Sequence, residues 1–402
     1  MSTPSNSFEL SREHEEFRQS VREFAAAEIA PYAAQWDRDH HFPVDVVTKM
    51  GQLGLFGLTA PEEYGGAGED GDFTSLCVAI EEIGRVDQSM GITLEAAVGL
   101  GINPILTFGT EDQKQTWLPD LVAGQALAGF GLTEPGAGSD AGATKTKAEL
   151  VDGPHGREWV VNGAKQFITN SGSEITSVVA VTARTGTRST EGGEKPELSA
   201  ILVPSGTAGF TAEKPYDKLG WHASDTHPLT FEDCRVPEAN LLGDRGRGYA
   251  QFLATLDDGR VAIAALAVGC IQACLDLSLA YAGDRQTFGV PIGRKQGVAF
   301  QIADLEVMLH ASRGLTYRAA AMKDAGAPVK EFKQAAAVAK LFTTESAVTA
   351  TRIATQVFGG YGFMEEYPVA RFYRDAKVLE IGEGTSEVQR MLIARGLGLP
   401  VE

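Results

Sequence analysis

The sequence predicts an α+β protein with helical regions at both ends and a β-rich region between them. Near the N-terminus, apolar residues recur every three or four positions, as they do on one face of a helix. From about residue 126, short runs rich in β-branched and aromatic residues replace this pattern. Long Ala- and Leu-rich segments return after Gly248. We therefore expect a helical region at 1–125, a β-region at 126–242 and a helical bundle at 243–402.

The N-terminal region begins with an amphipathic pattern over Ser11–Ala34. Its first residue is a suitable N-cap, and Pro31 predicts the end of the helix. Phe42-Pro43 precedes a second run of helical spacing. Thr110 and Gln113 have the spacing of a capping box ahead of a further helix.

The middle region contains five runs with the composition of strands. They are Glu158–Val161, Gln166–Thr169, Ser177–Ala183, Ser199–Val203 and Pro228–Phe231. Asn162-Gly163, between the first two runs, predicts a two-residue hairpin turn. Gly186–Pro196 is polar and Gly-rich, which predicts a loop.

The C-terminal region contains three long helical patterns, which are Leu253–Ala282, Ala299–Ala325 and Val329–Phe358. Pro and Gly cluster between them, as expected of connections. Long apolar helices joined in this way favour a bundle.

Composition excludes several classes of function. The chain has 402 residues, of which 43% are hydrophobic and 22% charged, with a formal net charge of −18. The acidic balance argues against nucleic-acid binding, which needs a basic surface. We see neither a leader nor an apolar run long enough to span a membrane, so we expect a cytoplasmic protein. The four cysteines, expected to be buried thiols rather than a disulfide or metal site, are Cys77, Cys234, Cys270 and Cys274.

A Gly-rich loop is expected at residues 131–140, GLTEPGAGSD. Gly136 and Gly138 expose backbone N–H groups, and Thr133 and Ser139 add hydroxyl donors. Such a loop suits a phosphate or a flat polar ring. A purely structural turn is the alternative. The loop lacks the third glycine of a Rossmann dinucleotide fingerprint.

Two further segments are candidates for binding an anion or a cofactor. In QVFGGYGF, residues 356–363, three glycines interrupt a helix and expose its backbone. Arg285, in RQTFG at residues 285–289, ends the helix that carries Asp257-Asp258-Gly259-Arg260. Its guanidinium suits a phosphate, or equally the negative end of the helix dipole. A plain connection between helices is the alternative for the glycine run.

Glu383 lies between two glycines in IGEGTSEVQR, residues 381–390. Because Gly382 and Gly384 have no Cβ, a ligand can approach both the backbone and the carboxylate. The alternative is a solvated glutamate in a loop between helices.

Together and in this order, these motifs resemble the acyl-CoA dehydrogenase family over nearly the whole chain. The segment at 257–260 is most similar to the short-chain and branched-chain members. The resemblance implies a helical domain, a β-barrel-like middle domain and a C-terminal four-helix bundle. It also implies FAD bound between the β-domain and the C-terminal helices, and a homotetramer built as a dimer of dimers.

The resemblance assigns FAD contacts to two distant groups of residues. Phe167 stands where many relatives have Trp, and Glu387 where some have Gln. The residues that match FAD contacts are Phe130, Leu132, Thr133, Gly138, Ser139, Phe167, Ile168, Thr169, Arg285, Thr287, Phe288, Gln296, Gln356, Val357, Gly359, Gly360, Thr385 and Glu387. Those that match substrate contacts are Ser139, Asp257, Arg260 and Gly384. No metal is implied.

By the same resemblance, Glu383 is the base that removes the α-proton of an acyl-CoA. The β-hydrogen then leaves as hydride to flavin N5, giving the trans-2-enoyl-CoA, and the electrons pass to an electron-transfer flavoprotein. Some members carry the base at the position of Gly259, which cannot serve here. The expected substrate is short-chain or branched, as in fatty-acid or branched-chain amino-acid breakdown.

Three other functions are compatible with parts of the pattern. An acyl-CoA oxidase would use the same site but let oxygen reach the reduced flavin, and such enzymes are usually longer. Relatives of nitroalkane oxidase use Asp as the base, which Glu383 argues against. A non-catalytic CoA- or flavin-binding bundle would have no use for the glutamate.

Overall fold

The N-terminal third of the molecule is a cluster of helices. The computed structural model describes residues 10–154, 156–190 and 193–401. Seven α-helices precede the first strand in the described chain. They are α1 (Arg12–Phe24), α2 (Ala33–Asp39), α3 (Val44–Gln52), α4 (Phe73–Val86), α5 (Gln88–Glu95), α6 (Asn103–Phe108) and α7 (Glu111–Val122).

Local sequence signals account for most of these helix ends. Ser11 caps α1 by accepting a hydrogen bond from His14 N at 3.2 Å. Thr110 and Gln113 form the predicted capping box of α7. The helical pattern predicted to end at Pro31 does end there, but its second half is not a regular α-helix. A π-helical turn at Ala25–Ile29 follows α1, and the chain turns at Pro31 before α2 begins.

The middle of the chain forms one mixed sheet. Its strands are β1 (Leu127–Gly131), β2 (Lys147–Gly153), β3 (Gly156–Thr169), β4 (Thr176–Thr190), β5 (Gly193–Pro204), β6 (Phe210–Ala212), β7 (Thr226–Pro237) and β8 (Leu241–Leu242). The order is β6-β7-β3-β2-β4-β5-β8, and β1 pairs in parallel with β4. Most neighbouring pairs are antiparallel.

The sheet buries both of its faces, and it does so in two separate cores. Val179 and Val181 of β4 join a core made only of sheet residues around Trp159. Their neighbours Val178 and Ala180 face the other way and join the helical core. This alternation is the period of two that a strand imposes on its side chains. One face therefore encloses its own interior, and the other packs against the helices.

Two predictions for the sheet are wrong. Asn162-Gly163 is not a hairpin turn, because β3 continues through it and bulges there against β7. The Asn162 side chain instead accepts from Asp233 N at 2.8 Å across the strands. Gly186–Pro196 is not a loop, because β4 and β5 run through it as a long hairpin whose last pair is Thr190 with Gly193. Polar residues extend these strands because this hairpin is largely exposed on both faces.

The C-terminal region is a bundle of long helices. They are α8 (Gly248–Asp284), α9 (Gln296–Asp324), α10 (Val329–Phe358), α11 (Pro368–Ala376) and α12 (Ser386–Gly396). A two-stranded ribbon of β9 (Gln286–Thr287) and β10 (Val290–Pro291) joins α8 to α9. The helices α8, α9 and α10 pack against one another, and α12 packs against α10. An α+β fold with a C-terminal helical bundle is therefore confirmed.

Two helical stretches are long and apolar enough to cross a membrane, contrary to the expectation that no run has this length. They are Gln88–Phe108 and Gly248–Asp284, and their most apolar windows are 72% and 83% buried inside the protein. Burial by other helices accounts for their composition, because a helix that is apolar on all sides belongs in a core. We interpret both as core helices.

The crossing of α8 and α4 depends on the missing side chain of Gly269. An added Cβ would lie 2.3 Å from the carbonyl oxygen of Glu81 and 2.8 Å from Arg85 N. We expect Gly269→Ala to lower the free energy of unfolding by about 1–3 kcal/mol, the usual cost of overpacking. Gly283→Ala on the same helix meets nothing within 4 Å and should raise it by up to about 1 kcal/mol. Denaturant titration measures both, and equal effects would contradict this account of the crossing.

Candidate active site

Glu383 occupies a left-handed turn between a short 3₁₀ helix (Lys377–Glu380) and α12. Its φ is +51°, and that of Gly384 is +93°. A positive φ is unfavourable for a residue with a side chain, so the surroundings must hold this turn. Thr385 caps α12 directly after it by accepting from Val388 N at 3.3 Å. The turn aims the glutamate side chain into the protein.

The carboxyl group of Glu383 fills the space left by Gly259 of α8. A Cβ at position 259 would lie 2.0 Å from Oε2 of Glu383. That oxygen is covered from solvent and has no hydrogen-bond partner among the described residues. The glycine at 259 and the glutamate at 383 are therefore sterically complementary. By contrast, a Cβ at Gly382 would meet only the carbonyl of Val378, at 3.5 Å.

A second buried carboxyl group, that of Glu95 at the end of α5, faces Glu383. Neither of its oxygens has a donor from the rest of the described chain. Burial and the neighbouring Glu383 raise the pKa of Glu95 well above its ordinary value. Burial also raises the pKa of Glu383. We therefore interpret the two groups as a pair that shares a proton.

Two cations oppose the effect of burial on Glu383. Lys340 of α10 and Arg260 of α8 both act to lower its pKa. Arg260 also donates to Asp257 on its own helix. Lys333 Nζ lies 2.9 Å from the other oxygen of Asp257. Both residues that match substrate contacts on α8 are thus buried and bound to protein groups.

A buried ion pair between Lys165 and Glu134 fixes the position of the loop after β1. Lys165 Nζ lies 2.8 Å from Oε1 of Glu134 and donates to Leu132 O at 3.3 Å. The same carboxylate accepts from the backbone N–H groups of Lys145 and Thr146. Burial lowers the pKa of Lys165 to about 8. These bonds fix the loop while Gly138 and Ser139 remain exposed.

The loop brings Thr133 beside the strand that carries Phe167. The carbonyl of Thr133 accepts from Gln166 N at 2.9 Å. Phe167 has φ +62° and is 59% exposed, so its ring projects from the sheet. Ile168 points into the sheet core, and Phe130 stacks on Phe252 with ring centroids 3.9 Å apart. An exposed aromatic ring thus lies close to a loop with free donors.

A separate cavity of about 580 Å³ lies among the C-terminal helices. Five of the residues that match FAD contacts line it, namely Arg285, Thr287, Val357, Gly359 and Gly360. The Arg285 guanidinium carbon lies 5.5 Å from the centre of the Tyr361 ring. A Cβ added at Gly359 or Gly360 would meet nothing within 4 Å. The backbone is therefore open to a ligand here.

The remaining predicted residues lie outside this cavity. Phe288 is 96% exposed on the β9–β10 ribbon. Gln296 and Gln356 are exposed at the start of α9 and near the end of α10. Glu387 is exposed in the first turn of α12.

Models of three domains match the chain and together cover most of it. They describe the N-terminal domain (residues 11–125), the middle domain (129–234) and the C-terminal domain (246–398) of acyl-CoA dehydrogenases. The chain belongs to the acyl-CoA dehydrogenase family. It is therefore an oxidoreductase of a family of flavoproteins that act on acyl-CoA.

Relatives and solved structures agree with this membership. A probable acyl-CoA dehydrogenase of Bacillus subtilis is 50% identical over 390 residues, which are 97% of this chain and 99% of the relative. The mitochondrial short-chain specific acyl-CoA dehydrogenase of Mus musculus is 44% identical over 388 residues, covering 96% and 90%. Butyryl-CoA dehydrogenase from Megasphaera elsdenii superposes with a TM-score of 0.91 at 39% identity, covering 97% and 99%.

A further similar chain was solved in a structure whose subject is the electron transferring flavoprotein of Acidaminococcus fermentans and flavin-based electron bifurcation. It superposes with a TM-score of 0.90 at 39% identity, covering 97% of this chain and 99% of the solved one.

The residues present fit a flavin dinucleotide. Phe167 offers a flat exposed face, and the loop beside it offers backbone and hydroxyl donors. The cavity among the helices offers a guanidinium and bare glycine backbone, which suit a diphosphate. All residues that line the cavity come from the C-terminal region. The residues that suit a ring and those that suit a diphosphate thus belong to different parts of the fold.

Sequence reasoning missed three buried charged residues of the site, which are Glu95, Lys340 and Lys165. Glu95 and Lys340 each stand alone in an apolar run, ITLEAAV and AVAKLF, whereas Lys165 has polar neighbours. A single charge in such a run is a usable signal, because charged residues are rarely buried without a partner. The identity of that partner depends on tertiary contacts.

The carboxyl pair makes stability depend on pH. The folded protein retains the Glu95 proton, whereas the unfolded chain releases it above about pH 4.3. Stability from this group is therefore full below that pH and falls as the pH rises towards the raised pKa of the folded protein. Glu95→Gln has no such proton, so it should gain stability relative to the native protein by up to about 1.4 kcal/mol per pH unit.

Denaturant titration between pH 5 and 9 measures this difference. Glu149→Gln, at an exposed position of β2, is the matched control and should follow the native protein at every pH. A Glu95→Gln curve parallel to the native one would show that Glu95 is not held protonated.

Proposed function

We propose that this protein is an FAD-dependent acyl-CoA dehydrogenase that introduces the α,β-double bond into a short-chain or branched acyl-CoA, with Glu383 as the base. The observation that carries the proposal is the Glu383 carboxyl, whose Oε2 is covered from solvent and lies against Gly259 without a partner. A dry carboxylate with a free oxygen can take a proton from a weak carbon acid. FAD, when bound, accepts the hydride from the β-carbon.

The remaining tasks fall to residues around the base. The α-proton moves to a carboxylate oxygen of Glu383, and the backbone N–H of the same residue donates to the thioester carbonyl. Gly384 leaves the acyl chain room to approach. Glu95 holds a proton next to the base and excludes water from it.

The substrate class rests on two observations. The relatives at 44% identity include a short-chain specific dehydrogenase, and a structure with a TM-score of 0.91 is a butyryl-CoA dehydrogenase. In this chain Gly382 adds no side chain beside the base. Gly259 does not widen the pocket, because Glu383 itself takes up that space.

We propose that FAD binds across a subunit interface, with its ring on Phe167 and Thr133 and its phosphates on Arg285 of another copy. This arrangement requires at least a dimer, and we propose a homotetramer. The chain has a surface suited to association. Phe288 is almost fully exposed, and on α9 Phe300 and Val307 are 63% and 69% exposed. The last two lie seven residues apart and so share one face of the helix. Exposed apolar residues grouped in this way favour association.

We further propose a cytoplasmic enzyme that passes its electrons to an electron-transfer flavoprotein. Burial of the two apolar helices within the fold supports the location. The similar chain described under an electron transferring flavoprotein supports the acceptor.

A panel of acyl-CoAs tests the function. The purified protein should be yellow, and straight and branched four- and five-carbon acyl-CoAs should bleach it without air and reduce an artificial dye. Bleaching that is reversed rapidly by oxygen alone would favour an acyl-CoA oxidase instead. A colourless protein that binds no flavin would contradict the proposal.

Glu383→Gln tests the base. The amide is nearly isosteric but cannot accept a proton, so turnover should fall by at least about a hundredfold to ten-thousandfold. Flavin content and the spectral change on binding the enoyl-CoA product should stay as in the native protein. Dye reduction at matched flavin content measures the loss, and near-native rates would exclude Glu383 as the base.

Arg285→Glu tests the phosphate site. Reversing the charge replaces attraction of the diphosphate by repulsion, so the protein should purify with little FAD. Arg352→Glu, an equal charge change at an exposed position of α10 outside the cavity, is the control and should keep its flavin. Equal flavin content in the two variants would remove Arg285 from the site.

A further inference from the structure

We propose that Lys340 is a positioning residue that holds the left-handed turn of Glu383 by donating a hydrogen bond to the carbonyl of Gly384. The proposal rests on the proposed role of Glu383 as the base. It assigns a function to a buried lysine that contacts neither the flavin-matching loop nor the helical cavity.

The contacts of Lys340 converge on one carbonyl oxygen. Its Nζ donates to Gly384 O at 2.8 Å. Gln389 Nε2 of α12 donates to the same oxygen at 2.9 Å and approaches Glu383 O at 3.4 Å. A carbonyl oxygen has two lone pairs, so these donors satisfy it fully. The turn is thereby tied to α10 on one side and to α12 on the other.

Burial of Lys340 is costly and calls for a reason. The residue is 0% exposed in the middle of α10, and no carboxylate of the described chain lies within 4.0 Å of its ammonium group. Transfer of a charged group from water to such a site is strongly unfavourable. A methionine would fill nearly the same volume without that cost. Packing of the aliphatic part of the side chain therefore does not explain why a lysine stands at position 340.

The geometry of the turn supplies the reason. Glu383 and Gly384 both have positive φ, at +51° and +93°. For a residue with a side chain, this conformation costs about 1–2 kcal/mol. The two donors on the Gly384 carbonyl, together with the approach of Gln389 to the Glu383 carbonyl, anchor the chain directly after this turn to α10 and α12. The anchored turn keeps the Glu383 carboxyl against Gly259.

The charge of Lys340 acts on the same carboxyl. The ammonium lowers the pKa of Glu383 against the effect of burial. Burial in turn lowers the pKa of Lys340 to about 8. The other charged groups that influence the two residues are Glu95 of α5, Arg260 of α8, Glu380 of the 3₁₀ helix and Glu345 of α10. Lys340 therefore has two effects that a neutral donor would not combine.

Paired variants separate these effects. Lys340→Met removes a hydrogen bond and a charge, whereas Gln389→Met removes a hydrogen bond to the same oxygen and no charge. Both should lower kcat by roughly tenfold to a hundredfold, as small misplacements of a catalytic group do. Only Lys340→Met should move the ionisation of Glu383 to higher pH.

Infrared difference titration follows that ionisation directly. The carboxyl band is assigned by its loss in Glu383→Gln, and it is recorded on the purified protein without substrate or turnover. The pH profile of kcat/KM provides the parallel kinetic readout. Lys340→Gln, which keeps an amide donor but no charge, should recover part of kcat and still show the shifted titration.

The results separate the proposal from the function it rests on. Absence of dehydrogenation in the native protein would refute the proposed function, while the titration would still report on Lys340. Native kcat and native titration in Lys340→Met would overturn the positioning role. Should Lys340→Met not fold, an unshifted titration in Lys340→Gln would overturn it equally. A native kcat in Gln389→Met would show that the Gly384 carbonyl needs no second donor and would contradict the mechanism.

Discussion

The site is organised around one costly requirement, a carboxylate kept out of water. A glutamate in solvent is too weak a base for the α-carbon of a thioester, and burial strengthens it by disfavouring its charge. The same burial penalises the folded protein, so the charge must be balanced locally. Lys340 and Arg260 supply positive charge, and Glu95 supplies a proton.

This requirement explains why several parts of the fold converge on Glu383. The N-terminal helices contribute Glu95, α8 contributes the gap at Gly259, and α10 contributes Lys340. None of these groups is close to the others in the sequence, so only the packed bundle brings them together. The sheet contributes a different element, the exposed ring of Phe167. The proposed reaction needs both the carboxylate of Glu383 and the ring of Phe167. The base takes the α-proton of the acyl chain, and the flavin, for which Phe167 offers a surface, receives the hydride from the β-carbon.

The sequence predicted the fold class and made Glu383 the candidate base, but it did not indicate which groups surround that residue. Helical spacing, the capping box at Thr110 and the glycines around Glu383 are local signals, and local signals are readable from sequence. The hairpin turn predicted at Asn162-Gly163 was wrong because the same dipeptide also suits a β-bulge. Only the pairing of β3 with β7 distinguishes a turn from a bulge. Glu95 and Lys340 were missed because a lone charge in an apolar helix gains its meaning from a contact far along the chain.

The acidic net charge and the anionic ligands that the family uses are compatible for a physical reason. At physiological ionic strength, charges farther than about 8 Å apart are largely screened at a solvent-exposed surface. A diphosphate in the helical cavity would therefore respond chiefly to Arg285 and to the bare backbone of Gly359 and Gly360. Within the protein, screening by salt is weaker, and Lys340 and Arg260 both act to lower the pKa of Glu383. The net charge of −18 thus describes the surface of the molecule, whereas the chemistry follows from a few cations placed where solvent does not reach.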